Sequence, residues 1–490
     1  MTMTLAVPPR ASSPRLAGLP IAVIGAGPVG LAAAAHLLER GHEVVVFESG
    51  DRPGSAVAEW AHVRLFSPWE SLLDRASVRL LEAAGWTSPD PADSPTGAEL
   101  LSRYLLPLAA TPALSRCLRL NSRVTAVSRQ GMDRTRSTAR ADTPFLLRVD
   151  DGNPTDVAAR AVIDTAGTWR SPNPLSSSGL ESETGTPAGV LTGLPDVLGG
   201  DRHRFAGRHT LVVGAGHSAA ATLLALDRLA ESAPGTRISW AIRGESAARI
   251  LTGDDDQVPG RASIGRRVDA LVRSGRLTLI DRFEIDTVEQ LETALIGVTG
   301  VPTPGLRVHG RRAGESAAVD CDLVVNATGF RPDLAMLREI RLGLDDIVEA
   351  PRALGPLIDP NLHSCGTVPP HGVVELTHPE PGFYIAGMKS YGRAPTFLLA
   401  TGYEQVRSIA DELSGRHEAA RTVELTLPAT GVCSTSIAAS APAVPTPAVP
   451  TPAVPTPAVP TPTAPTIAST TPSTCAPGGS CCTPDDATCC

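Results

Sequence analysis

The stretch IAVIGAGPVGLAAAAHLLERGHEVVVFE, residues 21–48, decides the fold. Its first four residues are an uninterrupted apolar run of strand length. A glycine-rich turn follows, then an Ala/Leu helix over Leu31–Arg40, a stop at Gly41 and a second apolar run at Val44–Phe47. That order predicts a parallel strand–helix–strand unit. Gly25, Gly27 and Gly30 supply the spacing G-x-G-x-x-G between the first strand and the helix. Gly25 permits the tight turn, Gly27 lets a diphosphate approach the backbone, and Gly30 lets helix and sheet pack closely. The helix N-terminus then faces the phosphates. Glu48 ends the second strand, where a carboxylate binds ribose hydroxyls.

The same order recurs from residue 210. TLVV (210–213) reads as a strand, Gly214, Gly216 and Ser218-Ala219 as the turn, residues 220–230 as a helix, and RISWAIR (237–243) as the next strand. Small residues replace the third glycine and still permit close packing. The strand ends in Arg243 rather than an acid, which suits a 2′-phosphate and favours NADPH over NADH. From about 120 to 167 short apolar runs predict a small antiparallel insertion. After CDLVVNATG (321–329), GFYIAG (382–387) and a helix ending at Leu413 return to first-unit material, so the second unit is inserted into the first.

The predicted fold class is therefore α/β, with two Rossmann-like dinucleotide-binding domains and a disordered, Pro-rich, Cys-ended tail. Two such sites in one chain imply a flavoprotein, with FAD on the first and nicotinamide on the second. The boundaries read from the chain are a flexible N-terminus at 1–19, a first part of the FAD-binding domain at 20–200 and an NAD(P)H-binding domain at 201–320. A closing part of the FAD-binding domain follows at 321–430, then a Pro-rich linker at 431–474 and a Cys-rich tail at 475–490.

Composition agrees with this reading. A chain of 490 residues is too long for one small domain, and 42% hydrophobic with 19% charged residues suits a soluble protein with a sizeable core. A net charge of −8 argues against general nucleic-acid binding. The N-terminus lacks the apolar core of a signal peptide, and no apolar run reaches the roughly 18 residues of a membrane span. A cytoplasmic location without membrane association is expected. Lysine occurs once, at Lys389, among 43 basic residues.

Cysteines are uneven. Cys117, Cys321, Cys365 and Cys433 are scattered, whereas Cys475, Cys481, Cys482, Cys489 and Cys490 crowd the end. PAVPT repeats four times from Pro442 to Thr461, a density of proline that predicts an extended spacer rising about 3.1 Å per residue. The vicinal pairs Cys481-Cys482 and Cys489-Cys490 are soft ligands suited to arsenite-like, mercuric, cuprous or zinc species.

Two further motifs carry a family resemblance. VIDTAGTW (162–169) and VVNATGF (324–330), which contains Gly329, resemble the ATG motifs of flavin-dependent monooxygenases and related two-dinucleotide-domain oxidoreductases. TAGTWRSPNP (165–174) resembles their linker into the NADPH domain, and GFYIAGMKSYGRAPTFLLATGYEQV (382–406), with Gly387, their closing FAD segment. The resemblance covers roughly residues 20–415. More narrowly, the chain is similar to actinobacterial flavoproteins of unassigned substrate. It implies FAD on the first glycine turn, NADPH on the second, a small-molecule substrate and, as in related folds, a possible homodimer. Departures exist. Met388 follows Gly387 where many members carry Asp, and the F-x-G-x-x-x-H monooxygenase fingerprint is not found before Gly214. No C-x-x-C occurs in the first 116 residues or the inserted domain. The terminal cysteine pair resembles that of mercuric reductases.

Candidate catalytic residues follow. Lys389, Tyr391 and Arg393 stand between the AG turn and the last helix, where a cation would stabilise negative charge on reduced flavin. Cys365 is a candidate redox thiol, and His371 and His378 are candidate proton donors. Phe66 and Trp69 line the flavin or pack in the core. Three readings stand at this point. The first is a monooxygenase, taking hydride from NADPH through FAD to oxygen and a soft nucleophile. The second is a reductase of a metal, metalloid or disulfide delivered by the terminal cysteines. The third is a metal-binding or sensing protein on a flavin scaffold.

Overall fold

Ile21–Ile24, Val44–Phe47 and Ala161–Asp164 are each short apolar strands, nearly wholly buried, as expected where a parallel sheet is covered on both faces. In the computed structural model they form the centre of a five-stranded parallel sheet. Its order is Phe383–Ile385, Ala161–Asp164, Ile21–Ile24, Val44–Phe47, Leu118–Arg119. The model describes residues 13–183, 185–246, 259–296, 302–360, 368–395 and 397–425. All lie within one unit, Met1–Ser436; the second unit, Ile437–Cys490, contains none of them. Cys365, Cys433 and the linker and tail expected at 431–474 and 475–490, with Cys481, Cys482, Cys489 and Cys490, lie outside the described residues.

A second five-stranded parallel sheet repeats the plan. Its order is Thr278–Ile280, Arg237–Ala241, His209–Val213, Leu323–Asn326, Val190–Thr192. Pairing thus draws in strands from beyond both boundaries read at 201 and 320. Three- and four-residue strands carry no periodicity to say which sheet they join. Near the N-terminus Pro14–Leu16 form a 3₁₀ turn, and Arg15 donates to Thr143 Oγ1 at 3.2 Å.

The two sheets are covered alike. Odd residues of the first strand, Ile21 and Val23, face the helix Pro28–Glu39 with Leu31, Ala32, Ala33 and Leu37; Ala22 and Ile24 face Val127, Phe145 and Leu147 of a three-stranded antiparallel sheet. In the second, Val212 faces Ala219, Leu223 and Leu226 of the helix His217–Ser232. Leu211 and Val213 face Phe283, Leu306 and Val308 of another antiparallel sheet. Each antiparallel sheet (Arg123–Arg129, Phe145–Asp150, Thr155–Ala159; Phe283–Ile296, Pro302–Arg312, Glu315–Cys321) feeds the parallel strand after it. The first insertion matches the expectation from short runs near 120–167. The second was legible only as isolated runs, because charged residues alternate along Phe283–Ile296. The closing helix, Leu399–Leu413, packs on Pro28–Glu39, and Arg40 pairs with Asp411 at 2.8 Å. Among the described residues no helix is long and apolar enough to cross a membrane.

Candidate dinucleotide sites

Each glycine turn is pressed against the exit of its neighbouring strand. Gly25 has φ 95°, and a Cβ there would lie 2.9 Å from Thr165 O and 3.0 Å from Ala166 Cα. Gly214 has φ 126°, and its Cβ would lie 2.3 Å from Ala327 O. Both positions therefore require glycine on two counts, backbone conformation and space. A Cβ on Gly30 would lie 1.9 Å from Gly25 O; Ala219 holds the corresponding place in the second turn and is fully buried. Gly27 and Gly216 differ. A Cβ on either meets nothing within 4 Å. Each caps a helix, of 12 and 16 residues, with no side-chain cap. The amides of such a helix start, and its dipole, suit a diphosphate. Ser218, half-buried, is the second residue of that second helix.

Strand exits match too. Asp164 and Asn326 occupy equivalent register positions, beside Ile24 and Val213. Asp164 Oδ1 accepts from Ala166 N at 3.0 Å and Asn326 Oδ1 from Thr328 N at 3.2 Å, so each side chain shapes the turn that the glycine touches. The two crossovers then meet. Pro172 bridges Phe330, Asn173 N donates to Gly329 O at 2.9 Å, and Trp169 stacks on Phe330 at 4.9 Å between centroids. Gly329, φ 97°, thus serves the crossover.

A cavity opens at the exits of the first sheet. It is bordered by Gly25, Gly27, Glu48, Thr165, Trp169, Gly387, Lys389 and Leu399, among others. Glu48 is buried, and its carboxylate is partly engaged. Oε1 accepts from Gly50 N and Ser55 Oγ, both at 2.8 Å, whereas among the described residues Oε2 accepts only from Ala26 N at 2.8 Å. Oε2 keeps a lone pair for a ribose hydroxyl. Gly387 has φ 72°, packs against Val29 and donates its N–H to Gln405 Oε1 at 2.8 Å. Arg243 is exposed at the end of Arg237–Ala241.

The candidate catalytic residues separate. Lys389 borders the cavity, yet its ammonium is buried and bound to Asp164 Oδ2 at 2.7 Å. Tyr391 is buried between His371 and Phe397, and burial raises its phenol. Arg393 is turned outward onto Glu349 at 2.5 Å. His371 uses both ring nitrogens, toward Pro369 O at 3.1 Å and Gln405 Nε2 at 2.9 Å, and burial lowers its pKa. Burial likewise pushes His378 down to about 4. Burial thus favours the neutral ring at both histidines. Trp69 is core, and Phe66 reaches the ring of His217 at 5.3 Å. Burial raises the thiols of Cys117 and Cys321, the latter to about 12. Among the described residues no cluster of His, Cys, Asp or Glu is arranged to hold a metal. Asp164, Trp169 and Phe330 were not singled out from sequence, although a lone acid ending an apolar strand was a signal for the first.

Comparison with known proteins agrees with this geometry. Residues 20–103 match the family model of FAD dependent oxidoreductases (DAO). No curated protein matches. Among solved structures, the bacillithiol disulfide reductase Bdr of Bacillus cereus superposes with a TM-score of 0.58 at 19% identity, over 81% of this chain and 99% of that one. The FAD-bound cadaverine monooxygenase DfoA of Erwinia amylovora gives 0.56 at 14%, over 84% and 97%. A mutant flavin monooxygenase of Stenotrophomonas maltophilia gives 0.51 at 21%, over 81% and 98%. The fold is that of the two-domain FAD/NAD(P)-binding flavoproteins.

Proposed function

We propose that this chain is an FAD-dependent, NADPH-using oxidoreductase of monooxygenase type, acting on a small soft nucleophile. The observation that carries the reading is the duplicated glycine turn, each pressed on an Asx-shaped strand exit, with a cavity at the first. Bound FAD would supply two-electron chemistry between NADPH and oxygen, one oxygen atom entering substrate and the other leaving as water. The chain's own residues bind and orient. Gly27 and the helix it caps hold a diphosphate, and Glu48 Oε2 accepts from a ribose hydroxyl. Gly214 and Gly216 repeat the cradle for the coenzyme, with Arg243 for its 2′-phosphate.

The reductase reading keeps the missing F-x-G-x-x-x-H fingerprint and the terminal cysteine pairs, and its fold is shared with a disulfide reductase as it is with monooxygenases. The experiment that separates the two is anaerobic reduction of the purified flavoprotein by NADPH, followed by rapid mixing with oxygen. Substrate-dependent oxygen incorporation supports the proposal. Reoxidation only by disulfides or metalloids, dependent on residues 431–490, favours the reductase. No flavin reduction by NADPH removes both, and soft-metal binding by the tail of that inert protein would leave the sensor.

A further inference from the structure

Lys389 is the sole lysine of the chain, and its side chain is 1% exposed. Its ammonium has three N–H donors. Among the described residues one recorded partner takes one of them, Asp164 Oδ2 at 2.7 Å. Asp164 is fully buried and does not border the cavity, whereas Lys389 does. The carboxylate thus neutralises the ammonium from behind. A buried ion pair is favourable only when its remaining donors are also satisfied, and the cavity is the side left to satisfy them.

Sheet order says what lies there. Ile385, Asp164, Ile24 and Phe47 share one register level across four neighbouring strands. The residues leaving those strands therefore line up as Ala386, Thr165, Gly25 and Glu48, and Lys389 follows Ala386 in the turn Gly387–Tyr391, its ammonium brought back to Asp164. A dinucleotide with its ribose at Glu48 and its diphosphate at Gly27 extends next toward Lys389, whose ammonium is held by Asp164 at the exit of the strand beside Ile21–Ile24. The pair is net neutral, so it offers donors without net charge.

We infer that Lys389 binds uncharged oxygens of the flavin half of FAD, its hydroxyl or carbonyl acceptors, while phosphate is held elsewhere. This rests on the FAD reading above. The single lysine makes the test direct. Apoprotein grown on lysine isotope-labelled at Cε shows one lysine resonance, followed on adding FAD and, separately, ADP, which carries the ribose and diphosphate alone. Binding of each is measured independently by calorimetry. The expected result is a shift with FAD and none with ADP. In addition, Lys389→Met should weaken FAD about tenfold and leave ADP unchanged. Should FAD and ADP both bind and the resonance move with both or with neither, the inference falls and the FAD reading stands. Should FAD fail to bind the folded apoprotein, the FAD reading falls and carries the inference with it. The wild-type spectrum decides even where the variant does not fold.

Discussion

Lys389 Nζ and Asp164 Oδ2 lie 2.7 Å apart, with side-chain exposures of 1% and 0%. The pair ties the turn after Ala161–Asp164 to the 3₁₀ turn Gly387–Tyr391, two walls of one cavity. Removing one partner strands a buried charge. Lys389→Met or Asp164→Asn alone should cost about 3–5 kcal/mol, and the double variant Lys389→Met/Asp164→Asn distinctly less than the sum. Denaturant unfolding of the four apoproteins measures the coupling; strict additivity would refute it.

The two kinds of glycine should behave oppositely. Gly214→Ala places a methyl 2.3 Å from Ala327 O at φ 126° and should destabilise by about 2–3 kcal/mol. Gly216→Ala meets nothing and should leave the unfolding midpoint unchanged while raising the KM for NADPH. Thermal unfolding and steady-state kinetics on both variants read this directly.

Glu48→Gln replaces one acceptor oxygen by a donor. Either Ala26 N or the Gly50–Ser55 side loses its partner. FAD affinity should fall by about 10- to 100-fold, since hydrogen bonds to charged groups are worth about 1.5–3 kcal/mol. Flavin fluorescence titration of apoprotein checks it, and an unaltered affinity would take Glu48 out of the site.

Arg243 is exposed and free to meet a 2′-phosphate. Arg243→Ala should raise the KM for NADPH about tenfold with little change for NADH, a worth of about 1.4 kcal/mol. Equal effects on both coenzymes would show that the guanidinium does not read the phosphate.

Stability should fall on acidification between pH 6.5 and about 4. Burial holds the folded pKa of His378 at about 4, below its ordinary 6.5, so the unfolded chain takes the proton first. The stability carried by this group is complete above 6.5 and falls by roughly 3 kcal/mol by the time pH reaches the folded value. His371, lowered by burial too, adds in the same direction. Denaturation midpoints against pH should show the slope, and His378→Phe should flatten it.

Residues 21–48 alone specified the first unit. A four-residue apolar strand, a glycine turn and an alanine helix can satisfy their backbone groups and spacing in one way, and the register Ile21↔Val44 to Ile24↔Phe47 follows. The repeat at 210–243 was legible for the same reason. Local chemistry could not say that Val190–Thr192 belongs with the second sheet, because a three-residue strand has no pattern of its own. Nor could it pair Lys389 with Asp164, 225 residues away, or turn Arg393 outward and bury Tyr391. Three residues on one short segment looked alike as candidates. Tertiary packing decided which of them borders the cavity, because a charge can enter the interior only where a distant strand delivers its counter-charge.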